Sequence, residues 1–475
     1  MGKWTDKPNL GAQPASDDTF LEYDASTGLI KQIARSNLVS NILTPSIISP
    51  IDNGITGSFV RIQGSIFSPL YESETRDYRE FQVDLTSGDF SSPVVSTQVN
   101  EDSYDVSGLS YNTDYKARIR DVSNSGYTTA WSSEITFTTS EAIVYGIALV
   151  STGGGAGTWQ NIDANGNDIA PSTTDFDNHP VWGNISDVTI DGQDMVKIPK
   201  FWIKADTAPT GSDQAGKKCW WVGDAAFSGA AVHPAFMDSG AEIDQVYVGK
   251  YECTDDGDTK AGSTAGVAPL VDIDFPTMQT RCEARNEANG GNVGVSGFRM
   301  WDIYELAALQ ILSLIELGTP DVQSAIAAGR VDESSAANTG TTSAVWRGIY
   351  ELWGNVWNMT DGLQIDGSHQ VEIWDKNGNT TLQSTGITTV EDSDGWTVTL
   401  HDESGTDWDL GSIFLPASTD GTESNGTLAD YLYASDAGEQ NVCYSGGHWG
   451  VVVGGGAGLF ILHLCNMSSA SGTYV

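Results

Sequence analysis

The stretch YELWGNVWNMTDG (350–362) decides how the second half of this chain is read. Trp353 and Trp357 stand four apart with Gly354 between them, a spacing that suits a tight turn pressed against a core. Upstream, FRMWDIYELAALQ (298–310) carries the clearest helix signal. Asp302 is a capping residue, Glu305 completes a capping box three positions on, LAALQILSLIEL (306–317) follows, and Gly318 ends the run. Apolar residues cover most faces of that segment, so the helix is expected to be deeply buried. Thr319-Pro320 then reads as the start of a second short helix, with Pro at the tolerated first position and Gly329 at its end.

Working outward, strand-like pieces recur: VYGIALV (144–150), DMVKIPKFWIK (194–204), KCWWVG (218–223) and QVYVGKYEC (245–253). Residues 365–415 read as a β-rich insertion, with VEIW, a KNGN turn and WTVTLHDESGTDWDL. Residues 142–475 are therefore expected to form one large α+β domain. Residues 44–141 read as short strands broken by turns: Val60, Ile62, Phe81, Val83, Tyr115, Ala117 and Ile119 fall in alternating runs, and Pro45 and Pro50 open the segment. Residues 1–43 contain DDTFLEYDASTGLIKQIARSNLV. There Phe20, Leu21, Tyr23, Leu29, Ile30 and Ile33 are apolar and Ser26-Thr27-Gly28 is a turn signal, which predicts a hairpin followed by a brief helical end. Such a hairpin buries too little surface to stand alone, so it needs a second copy of itself or a larger particle.

Bulk properties narrow the function classes. The chain has 475 residues, so two to four domains are expected. Fifteen Trp and a 39% hydrophobic fraction argue against global disorder, and 53 Gly favour strands and loops. Sixty-three acidic residues against 23 basic ones leave a formal charge of −40, which repels nucleic acid and anionic membranes. Cys219, Cys253, Cys282, Cys443 and Cys465 are odd in number and form no CxxC pair, so neither a disulfide scaffold nor a zinc site is indicated and synthesis in a reducing cytoplasm fits. MGKWTDKPNL lacks an apolar core, so no signal peptide is expected, and no stretch approaches a membrane span. The sole ion with a candidate loop is calcium: Asp163, Asn165, Asn167 and Asp168 in DANGND offer oxygen ligands, but the twelve-residue EF-hand with its closing Glu is absent and an acidic turn is the plainer reading. No other cofactor is expected. His179 and His233 each precede Pro and read as turn residues, and neither an HxxxH pair nor a GxSxG elbow occurs.

Two resemblances follow from these residues. YKARIR (115–120), the Ser125-Gly126 turn, Trp131, ITFTT (135–139) and the preceding SGLSYNTDY (107–115) resemble the last strands of a fibronectin type III domain, which implies a β-sandwich spacer over 44–141. The set VHPAF (232–236), VYVGKYE (246–252), FRMWDIYELAALQ, ELWGNVWNMTDG and YSGGHWG (444–450) resembles the C-type-lectin-like fold shared by formylglycine-generating enzymes and phage tropism determinants. The related oxidases hold copper with cysteines near the C-terminus and place arginines in the closing strands. Here Cys443 and Cys465 lie in that half, but no Lys or Arg follows Lys376, so copper chemistry is not expected. Residues 1–43 resemble small attachment modules of phage tail fibres, which are three-fold.

The expected fold is thus mostly β, a sandwich followed by a lectin-like α+β domain. The expected function is host attachment by a bacteriophage tail protein on the virion, a homotrimer touching other tail proteins through its N-terminus and a host surface protein or glycan through its C-terminus. A glycan-degrading tail enzyme and a structural decoration protein are the alternatives. CYSGGHWGVVVGGGAGLFILHLCNMSSASGTYV (443–475) holds no charged residue and resembles the variable region of tropism proteins diversified by a retroelement, in which AAC codons become NNC. His448, Gly450, Val451, Ile461, His463, Cys465 and Asn466 are all residues that NNC encodes. With Tyr444 they form the expected solvent-facing binding surface, on a scaffold of Gly446, Gly447, Trp449, Ala457, Gly458 and Phe460, with a Gly-rich turn at 454–456.

Overall fold

A computed structural model describes residues 42–50, 60–69, 74–106, 109–110, 113–257, 259–388, 394–434, 441–451 and 455–470, and the backbone of strands 19–24, 29–34 and 54–56. The chain divides into two compact units, Met1–Glu141 and Ala142–Val475. Strands predominate in both.

In the first unit, Thr19–Asp24 pairs antiparallel with Leu29–Ala34, from Thr19↔Ala34 to Asp24↔Leu29. The expected Ser26-Thr27-Gly28 turn and the helical end after Ala34 lie outside the described residues. Beyond the hairpin stands a β-sandwich. One sheet holds Ile47–Ser49, Val60–Gly64 and Ser103–Val106; the other runs Gly54–Thr56, Ile135–Thr139, Asp114–Ser123, Arg76–Leu85, Val95–Val99. Alternation places Val60, Ile62, Phe81, Val83, Tyr115, Ala117 and Ile119 in its core. The Tyr115 hydroxyl accepts a hydrogen bond from Ser110 N at 3.0 Å, the tyrosine-corner geometry of such sandwiches. Arg79, fully buried, pairs bidentately with buried Asp121 at 2.7 and 2.8 Å, and the Arg118 and Arg120 guanidinium groups lie over the Trp131 ring at 4.3 and 4.4 Å.

The second unit is built around the helix Ile303–Leu317. Asp302 accepts from the backbone of Tyr304 and Glu305, Glu305 reaches back to Asp302 N, and Gly318 closes the helix in the left-handed region at φ 68°. Every residue from Ile303 to Ile315 is buried. Side chains tie the helix down: Trp182 Nε1 donates to Leu312 O at 3.0 Å and Gln310 Nε2 donates to Leu459 O at 2.9 Å. The second short helix is Val322–Ala325. It begins later than Thr319-Pro320 predicts, because Asp321 is the cap that accepts from Ser324 N; Pro320 precedes the cap, and Gly329 lies beyond the end.

Around the core stand a five-stranded sheet, a three-stranded sheet and an eight-stranded sheet. The last runs, edge to edge, Leu382–Thr388, Gln370–Trp374, Asn358–Ile365, Asn441–Gly447, Ala457–Met467, Tyr431–Tyr433, Gly395–Leu400, Pro416–Asp420. All neighbours are antiparallel except Tyr431–Tyr433 with Ala457–Met467. The strands of 365–415 are thus integral to this sheet on both flanks of the C-terminal pair. Among the described residues no helix is long and apolar enough to cross a membrane.

Candidate ligand-binding surface

The GNV turn is the keystone of the site. Glu351, Gly354 and Asn355 take positive φ of 53°, 74° and 65°. The buried carboxyl of Glu252 receives Asn355 Nδ2 at 2.5 Å and Val356 N at 3.1 Å, so the VGKYE and GNVW motifs meet directly. Burial pushes the Glu252 carboxyl well above the usual carboxylate range. Trp353 is fully buried and donates through Nε1 to Ala327 O at 2.9 Å. From this turn, Gly354 N donates to Gly446 O at 2.9 Å, and Asn355 O accepts from Trp449 N at 2.8 Å. The segment after Asn441–Gly447 is therefore seated on the turn.

That seating requires glycine. Gly447 has φ 80°, and a Cβ there would stand 2.6 Å from Ala457 Cα. At Gly458 a Cβ would meet Asp430 Oδ1 at 1.9 Å; the buried Asp430 carboxyl is pushed up by burial and accepts from Phe460 N at 2.7 Å. Phe460 is buried edge-on against Phe414 at 5.1 Å. Trp449 departs from the inward anchor expected of it: it is half-buried, and its backbone does the holding, with Glu333 N donating to its carbonyl at 2.9 Å.

Strand alternation sorts the expected contact residues. Leu462 and Leu464 enter the large core, whereas Ile461 joins Trp357, Tyr444 and Phe275 in a second cluster. Tyr444 and Ile461 are fully buried, which corrects the expectation that they face solvent: the segment carrying Phe275–Glu283 covers this part of the sheet. His448, Val451, His463, Cys465 and Asn466 are half-buried, and Gly450 is exposed. Residues 452–454, which include the start of the Gly-rich turn, lie outside the described residues.

What the sheet adds is a row of rings. Tyr444, His463 and Tyr433 are direct cross-strand partners on three adjacent strands. The His463 ring lies 6.1 Å from Tyr444, 5.2 Å from Tyr433 and 5.2 Å from Trp357, and Trp357 also meets His448 at 6.0 Å. Tyr431 continues the row at 4.9 Å from Tyr433, with Trp396 a further 5.7 Å away. Sequence reasoning treated Trp357 as packing alone and missed Tyr431, Tyr433 and Trp396. The YLY alternation at 431–433 was the available signal, since residues two apart share a face. Burial holds the His448 imidazole below its usual range, which favours a neutral ring.

Cys443 is fully buried in the large core, while Cys465 follows His463 by two and so shares its face. In DANGND the Asp163 carboxylate accepts from Asn165 N, Asn167 N and Asn167 Nδ2, the pattern of a self-satisfied acidic turn. His179 and His233 are buried at turns, with pKa values lowered by burial to about 4 and about 3. Among the described residues no group of three or more His, Cys, Asp or Glu side chains is arranged to hold a metal.

No known family's sequence profile matches the chain. No curated protein matches it either. Among solved structures, a Fn3-like protein from Clostridium thermocellum aligns at 16% identity, covering 22% of this chain and 97% of its own, with a TM-score of 0.17. The sixth fibronectin type III domain of a human fibronectin type III domain-containing protein aligns at 17% identity over 21% of this chain and 85% of its own, with a TM-score of 0.16. An alpha-L-rhamnosidase from Dictyoglumus thermophilum aligns at 12% identity over 44% of this chain and 27% of its own, with a TM-score of 0.19. The sandwich stands on its own strand order and tyrosine corner.

Proposed function

We propose that this chain is a binding protein whose C-terminal strand pair presents a ligand-recognition surface. More specifically, we infer a receptor-binding protein of a bacteriophage tail, with a C-type-lectin-like second unit and a segment open to retroelement diversification. The observation that carries the reading is the ring row of His463, Tyr433, Tyr431 and Trp396, bordered by a rim at His448, Gly450, Val451, Cys465 and Asn466 without a charged residue. Rim residues of this kind change without loss of fold when the scaffold beneath them is rigid. The scaffold here is rigid for stated reasons: the Glu252 clamp, the Gly446-Gly447 approach and the buried Phe460. With no Lys or Arg after Lys376, an anionic target finds no ion-pair partner within the C-terminal segment, so a neutral glycan or a protein patch is the target class.

Single contacts of this type contribute on the order of 1–2 kcal/mol, so tight adsorption requires several copies. The N-terminal hairpin, too small to be stable alone, is assigned to trimerisation and to attachment to other tail proteins. The test is the triple variant His448→Ala, Val451→Ala, Asn466→Ala. Virions carrying it lose or redirect host adsorption, while its thermal transition stays within about 3 °C of the parent, the shift expected of less than ~1 kcal/mol. Full adsorption by the variant refutes the placement of the site.

A further inference from the structure

We propose that the second unit holds a separate site for an alkylammonium group, in a cleft of about 560 Å³ lined by Tyr247, Tyr251, Trp301, Tyr350 and Trp374. The volume falls within the ~300–1,000 Å³ of small-ligand sites. The inference does not depend on the attachment reading, although Trp357, which meets His448 and His463, also lines the cleft.

Charge selects the ligand class. Six carboxyl residues line the cleft (Asp238, Glu252, Asp302, Glu305, Glu351 and Asp375) against two cations, Arg285 and Arg299. Of the six, burial favours the neutral acid at Glu252, and Asp302 and Glu305 are spent on Arg299, which leaves Asp238, Glu351 and Asp375 outside any ion pair among the described residues. Both cations are already engaged. Arg285 pairs with Asp191 at 2.9 Å and Asp256 at 2.5 Å, and Arg299 pairs with Asp302 at 2.7 Å and Glu305 at 3.0 Å. An anion entering the cleft meets guanidinium groups that are committed elsewhere and the carboxyl groups of Asp238, Glu351 and Asp375, which no ion pair among the described residues neutralises. A cation meets the opposite field.

The rings supply the second element. An ammonium over an aromatic face is attracted by the ring quadrupole, more strongly as water is excluded. The molecule already uses this contact at the cleft, where the Arg299 guanidinium lies 5.5 Å from the Trp374 ring and that of Arg285 lies 5.9 Å from Phe298, another lining residue. Tyr251 and Tyr350 have ring centroids 5.2 Å apart at 39°, and Tyr251 is braced behind by Gly340, where a Cβ would fall 2.8 Å from its ring. Tyr247 is 38% exposed and reachable from solvent.

The experiment uses the intact chain and three probes: choline, its neutral isostere 3,3-dimethylbutan-1-ol, and Nα-acetyl-lysine methylamide. Binding is read by saturation-transfer NMR on the probe methyl signals and by titration. Choline or the lysine derivative binds at millimolar or lower concentration, and the neutral isostere binds about tenfold more weakly, a difference of ~1.4 kcal/mol. Comparison of the two cations tells a choline-type headgroup from a lysine side chain. The double variant Tyr247→Ala, Tyr350→Ala loses the cation binding, with circular dichroism and thermal transition reporting that the fold persists. Should that double variant unfold, Tyr247→Ala alone, on an exposed strand position, weakens binding severalfold. Equal affinity for the neutral isostere, absence of saturation transfer from both cations, or undiminished binding by a folded Tyr247 variant overturns the proposal.

Discussion

Gly447 sits at φ 80° with Ala457 Cα where its Cβ would be, and alanine there has to strain the backbone or part the two strands. Gly447→Ala is expected to lower stability by roughly 1–3 kcal/mol, read as a lower urea midpoint with an unchanged slope. Glu305 provides a second test. Burial, opposed by Arg299 and reinforced by Asp302, raises its carboxyl to about 7 from the usual 4.5. The folded state therefore favours the protonated acid. Its stabilising contribution is fully present below pH 4.5 and is lost as pH rises through 7. Gln keeps an acceptor for Asp302 N and cannot ionise. The melting temperature of Glu305→Gln relative to the parent should rise steadily between pH 4.5 and 7, and a flat difference across that window refutes the assignment.

At the level of elements, the Ile303–Leu317 helix depends on Asp302 for its first turn. The side chain accepts from Tyr304 N and Glu305 N at 2.9 Å each. Asp302→Ala is expected to cost about 1–2 kcal/mol from the cap alone, with Asp302→Asn recovering much of it, by thermal melting of the three proteins side by side. This helix was legible in the sequence because capping box, apolar run and closing Gly318 are all local signals. The short helix after it was legible in existence but not in start, since Pro320 and Asp321 compete to define the first turn and the side-chain cap prevails. The strands of 365–415 were legible as strands, yet their places on both flanks of the C-terminal pair were not. Period-two patterning states which residues share a face and nothing about which strand lies alongside.

For the whole molecule, the trimer proposal has a direct measurement. Light scattering on the intact chain should report three copies, and on a chain lacking residues 1–43 a single copy; a monomeric intact chain at micromolar concentration refutes the trimer. A formal charge of −40 per chain puts strong like-charge repulsion on any such assembly, so its measured stability should increase with salt.

The amino-acid sequence by itself determined the local events: the capped central helix, the alternating core of the sandwich, and the acidic turn at Asp163. Each arises from groups a few residues apart, whose hydrogen bonds and side-chain faces follow from backbone geometry. Tertiary structure alone decided which residues of the candidate surface reach solvent. Tyr444 and Ile461 lie buried because the Phe275–Glu283 segment packs over them, and His463 stands between Tyr444 and Tyr433 because one parallel and one antiparallel pairing bring distant strands into register. Those pairings are long-range choices of register and neighbour, made by burial of the whole sheet against the helix.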